Sequence, residues 1–154
     1  MQKRNLLQVN YIIVSTTQTF YFYLSNFREI FANMNSESSF ELDEHTKLQW
    51  YKIVFATKKM FGIKPDMNAL LFLIGMRELG ITREFSKEEK LDLMHIATCK
   101  LMSYDGYYEF EKTDEDGWPH YKLLKKAPYI DIMNQENILK RLIVKYFEES
   151  DLIE

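Results

Sequence analysis

The stretch from Met67 to Leu79 constrains this chain more than any other, because only Asn68, Arg77 and Glu78 in it are strongly polar. Pro65-Asp66 stands before it and Gly80 after it. Asp66 is suited to cap a helix start and Gly80 to end one. A helix that is apolar on most sides must be buried on most sides. The lipid bilayer is excluded as the burying medium. The longest uninterrupted apolar run is Ala69 to Ile74, extended through Gly75 to Met76, whereas a membrane span needs about 20 residues. Other parts of the chain must therefore wrap this helix, which predicts a folded protein with a real core.

The wrapping elements can be read from periodicity. A first helix is expected from about Thr46 to Phe61, stopped by Gly62, with Leu48, Tyr51, Val54 and Phe55 as its core-facing stripe. Ser86-Lys87-Glu88-Glu89 has the pattern of a capping box. It opens a third helix that should run to about Ser103, with Leu91, Met94, Ala97, Thr98, Leu101 and Met102 on one arc. Asp105-Gly106 closes it. Tyr107 to Leu123 alternates around Thr113-Asp114-Glu115-Asp116-Gly117 and reads as a β-hairpin. A last helix from about Asn134 to Glu149 places Ile138, Leu139, Leu142, Ile143, Tyr146 and Phe147 toward the core. The expected fold is mainly α with a small β-hairpin (α+β): a four-helix core from about residue 46 to 149, and a hairpin at about 107–123.

Composition is that of a globular chain: 154 residues, 46% hydrophobic and 28% charged. That length fits one domain able to bury roughly 68–70% of its unfolded surface without metal or disulfide. The net charge of −3 is unevenly spread. Residues 1–33 have three basic residues against Glu29 alone, a charge of +2, which leaves −5 for the remainder. We read 1–33 as an N-terminal extension and 34–154 as a single helical domain. A β-hairpin over Val9–Val14 and Thr19–Leu24 is the second reading of the first segment, and a secretory leader the third. Cys99 is the single cysteine, so no intrachain disulfide forms. A reducing, cytoplasmic setting is expected, with no membrane association.

No motif names a reaction. There is no Gly-rich phosphate loop, no nucleophile elbow and no RNA-binding signature, and no cofactor is expected. Asp92, His95 and Cys99 share one helical strip at the spacing of zinc ligands. A matched second pair is missing, and His45 and His120 each stand alone, so no metal site is expected. A small enzyme built around Asp92, His95 and Cys99 or His120 is the alternative function. Cys99 lies inside a helix, away from any helix N-terminus that would favour its thiolate, and this weighs against that alternative. Nucleic-acid binding through the lysine-rich first helix is a third reading. Lys47, Lys52, Lys58, Lys59 and Lys64 lie there among Trp50, Tyr51 and Phe55. It is disfavoured by the lack of arginine in that stretch and by the expectation that Tyr51 and Phe55 are core.

The leading expectation is a non-enzymatic module that binds a protein partner through an acidic, aromatic hairpin. Tyr and Trp are common interface anchors, and Tyr107, Tyr108, Phe110, Trp118 and Tyr121 lie within 15 residues. A four-residue loop, Thr113 to Asp116, keeps the apolar residues on one face. Tyr108 then lies opposite Tyr121, and Tyr121 and Phe110 are buried. The outer face, and the candidate partner-binding set, is Tyr107, Glu109, Glu111, Trp118 and His120, with Glu109 opposite His120 and Glu111 opposite Trp118.

Overall fold

The structure, a computed structural model, describes residues 41–125 and 132–152. The readings of residues 1–33 lie outside these residues. The described chain is mainly helical. It contains α1 (Glu44–Phe61), α2 (Met67–Leu79), α3 (Lys87–Ser103), strands β1 (Tyr108–Thr113) and β2 (Pro119–Leu123), and α4 (Ile132–Glu149). The expected four helices and small antiparallel hairpin are thus present. No helix among the described residues is long and apolar enough to cross a membrane. By compactness α1 and α4 belong to one unit, and α2, α3 and the hairpin belong to another that spans Asp66–Lys126.

Short polar signals set the helix ends. Asp66 accepts from the Ala69 amide at 2.8 Å, and Gly80, at φ +71°, returns its amide to Met76 and Arg77. An L-residue is strained at that φ, so glycine is the residue that lets the helix stop there. At α3 the capping box closes in both directions. The Glu89 amide donates to Ser86 Oγ at 3.2 Å, and the Ser86 amide donates to Glu89 Oε2 at 2.8 Å. Arg83 also binds the Glu89 carboxylate. That bond, then the Ser86 amide, holds the Glu89 carboxyl down to about 2. Helix α1 begins two residues before its expected start, because Asp43 caps it by accepting from both the amide and the hydroxyl of Thr46.

In the unit that spans Asp66–Lys126, α2 packs on α3 and α3 carries both strands of the hairpin. Leu70, Leu71, Phe72 and Ile74 of α2 are buried, as are Leu93, Met94, Ala97 and Leu101 of α3. Phe72 meets Phe85 edge-on at 6.2 Å between ring centres. The approach of the two helices is close at Gly75, where a Cβ would lie 2.1 Å from the Leu93 carbonyl oxygen. The apolar α2 is therefore the buried helix that its composition demanded.

In the other unit α1 packs on α4. Helix α4 buries Leu139, Leu142, Ile143 and Tyr146 as expected and Val144 besides, while Ile138 and Phe147 are only half-buried. His45 Nε2 meets Glu148 Oε1 at 2.8 Å, and Lys140 Nζ lies 5.6 Å from the Trp50 ring centre. The expected stripe of α1 needs correction. Leu48, Tyr51 and Phe55 are exposed at 57%, 69% and 69%, whereas Thr46, Ile53 and Thr57 are buried. The physical reason is that α1 is apolar on two sides. Trp50, Ile53, Val54 and Phe61 cluster on one arc at 100° per residue, and Leu48, Tyr51 and Phe55 on another. The first arc also takes in two threonines. Thr57 satisfies its hydroxyl by donating to the Ile53 carbonyl at 2.8 Å, so it is buried without an orphaned polar group.

Candidate interaction surface

Three residues anchor the hairpin to α3. Tyr108 opens β1 as its one buried residue, and its hydroxyl bonds the sulfur of Cys99. Tyr121 of β2 is half-buried, and burial first, then Glu78 and Cys99, pushes its hydroxyl up to about 12. Cys99 is buried on α3, with Sγ 3.5 Å from His95 Nε2. The base of the hairpin is tied further by backbone bonds from Tyr107 to the Met102 carbonyl and from Leu124 to the Tyr107 carbonyl.

The register differs from the expected one. Tyr108 lies opposite Leu123, Glu109 opposite Lys122 and Phe110 opposite Tyr121, a shift of two residues that leaves each side chain on its expected face. Toward the tip, Lys112 lies opposite His120 and Thr113 opposite Pro119, with an irregularity between Phe110 and Lys112. The loop explains the difference. Asp114 donates its amide to the Trp118 carbonyl at 3.0 Å, leaving three residues, Glu115 to Gly117, to turn the chain. Gly117 at φ +88° takes the left-handed position that such a loop requires. The Asp114 carboxylate stiffens the turn by accepting from the amides of Asp116 and Trp118. A three-residue loop alone would mix the faces. One extra residue in β1, the bulge at Glu111, restores the alternation for the body of the hairpin.

The candidate set is placed as follows. Glu109 is exposed and faces Lys122, with Nζ 3.8 Å from its carboxylate, instead of facing His120. Glu111 is exposed at the bulge, and Trp118 is half-exposed beside Asp114 at the loop, so these two are not cross-strand neighbours. His120 is exposed and binds Asp114 Oδ2 at 2.8 Å. This bond, then the Trp118 amide, holds the Asp114 carboxyl below its ordinary range. Tyr107 is half-buried at the hairpin base with Lys125 Nζ 4.4 Å from its ring centre. The five residues therefore run from base to tip of one hairpin. The expected burial of Phe110 is corrected: it meets Tyr121 edge-on at 5.9 Å yet is 56% exposed. Its two-residue displacement from Tyr108 carries it past the part of β1 that is buried. Leu123 and Leu124 are exposed too, and sequence reasoning had not singled out any of these three as surface.

Asp92, His95 and Cys99 all lie on α3. Partial burial lowers the pKa of His95 against the weaker opposing pull of Asp92. Burial pushes the Cys99 thiol up to about 12, with the Tyr108 hydroxyl working weakly the other way. A thiol held protonated is the reverse of the thiolate that makes a cysteine nucleophilic. His120 is engaged with Asp114. Among the described residues no three His, Cys, Asp or Glu side chains come together as a metal-ligand set. At pH 8 a thiol with pKa near 12 is only about 10⁻⁴ ionised. Cys99 should therefore react with iodoacetamide about a thousandfold more slowly in the folded protein than in the urea-unfolded chain. Comparable rates, followed by mass spectrometry, would show that the thiol is activated after all.

No protein-family model, curated protein or solved structure matches the chain.

Proposed function

We propose that the protein is a non-enzymatic interaction module that works in the cytoplasm and binds a protein partner through its acidic, aromatic hairpin. The observation that carries this reading is the exposure of Phe110, Leu123 and Leu124 on the same hairpin as the exposed carboxylates Glu109, Glu111, Glu115 and Asp116. Apolar groups left in water gain free energy when a partner covers them, and a charged rim selects which partner that is. The hairpin is also pre-organised. Its turn is held by the Asp114 carboxylate and its base by Tyr108 on α3, so little ordering cost is incurred on binding.

Affinity capture from native lysate with the full chain tests the reading, comparing wild type with Trp118→Ala, Glu111→Lys and a control at exposed Lys87. The two hairpin variants should retain wild-type stability within about 0.5 kcal/mol, as surface changes usually do. They should lose a specific partner by roughly tenfold or more, the effect of removing an interface anchor, while Lys87→Ala keeps it. Equal capture by all four proteins would refute the hairpin as the contact surface.

A further inference from the structure

Resting on that reading of the hairpin, we infer that one partner it fits is a second copy of this chain, bound through the exposed face of α1. Two surface patches of opposite charge lead to this pairing. On α1, Leu48, Tyr51 and Phe55 form an exposed apolar strip. Lys52, Lys58 and Lys59 are exposed along its borders, and no acidic residue occurs between Thr46 and Lys64, where five lysines give a charge of +5. On the hairpin, Phe110, Leu123 and Leu124 are exposed within a segment, Tyr108 to Leu123 and its neighbour, that has five acids against Lys112 and Lys122, or −3.

The two patches are complementary in charge. Like patches repel: helix to helix sets lysines against lysines, and hairpin to hairpin sets carboxylates against carboxylates. The favoured contact is therefore head-to-tail, the hairpin of one copy on α1 of the next, which builds rings or growing chains. A contact limited to one helix face and one hairpin is at the small end of specific interfaces and gives weak, concentration-dependent association. Lipid and nucleic acid are less well matched. Neither uses the acidic hairpin, and α1 supplies lysine alone, where arginine makes the bidentate phosphate contacts.

Sedimentation velocity on the full chain, from about 10 μM to about 1 mM, the range in which small interfaces assemble, tests this. Wild type should form species larger than monomer at low salt, weakened tenfold or more when salt rises past the screening range of surface charges. Lys52→Glu with Lys59→Glu should abolish association, and so should Glu111→Lys with Glu115→Lys. Mixing these two proteins should restore it, because each now offers what the other's reversed surface attracts. Wild type that stays monomeric throughout, or a mixture that fails to associate, overturns the inference. So does binding of anionic vesicles or single-stranded DNA by α1 without self-association. Any of these results leaves hairpin-dependent capture of another protein intact, so this inference can fail while the hairpin reading survives. Loss of that capture with self-association preserved would separate the two the other way.

Discussion

Gly75→Ala should destabilise the protein by about 2 kcal/mol or more, against a helix-propensity gain of about 1 kcal/mol that the same change gives at an open helical site. The sign is decided by what the new methyl group meets. Its Cβ would lie 2.1 Å from the carbonyl oxygen of Leu93, 2.6 Å from the carbonyl carbon and 3.0 Å from Cα. All three are backbone atoms of α3, which cannot swing aside as a side-chain tip does. The helices must move apart, and buried Leu70, Phe72, Leu93 and Ala97 then lose close packing. For a domain whose whole stability is about 5–15 kcal/mol, this is a large share. Urea unfolding followed by circular dichroism measures it. A neutral or stabilised Gly75→Ala protein would mean that α2 and α3 do not approach at this residue.

Tyr108→Ala should cost about 3 kcal/mol, the range for removing a buried aromatic ring, and should release the hairpin before the helices unfold. Tyr108 is the only buried residue of β1, and its hydroxyl bonds the Cys99 sulfur on α3. No other β1 side chain can replace it as an anchor. Tyr108→Phe keeps the ring and removes one hydrogen bond, so it should cost about 1 kcal/mol. Hydrogen exchange distinguishes this from general destabilisation. In Tyr108→Ala the amides of β1 and β2 should exchange faster by a larger factor than those of α2 and α3. A uniform change over all four elements would show that the hairpin is not a separately anchored element.

Much of the fold was legible because its punctuation is local. Asp66, Ser86 with Glu89, and the glycines at 62 and 80 each act within three or four residues, and the end of α1, both ends of α2 and the start of α3 follow directly from them. What was not legible depended on choices between near-equal faces. Helix α1 has two apolar arcs, and periodicity cannot say which one meets α4. The buried arc contains Thr46 and Thr57, whose polarity hides it until the bonds to Asp43 and Ile53 are seen. In the body of the hairpin, from Tyr108 to Phe110, alternation identified the faces correctly, since a two-residue shift preserves them. The opposite partners were missed because a three-residue loop with a bulge and a four-residue loop without one give the same parity. The surface set Tyr107, Glu109, Glu111, Trp118 and His120 was legible as residues of one hairpin. Phe110 was not, since its exposure depends on how far along β1 the strand remains covered.

The central claim, that the hairpin is the contact surface, is tested most directly by hydrogen–deuterium exchange of the protein alone and in complex with its captured partner. In dilute protein, exchange is expected to slow on binding across Tyr108–Thr113 and Pro119–Leu123, with α2 and the α3 segment around His95 and Cys99 unchanged. Protection centred on His95 and Cys99, with the hairpin amides unaltered, would contradict it.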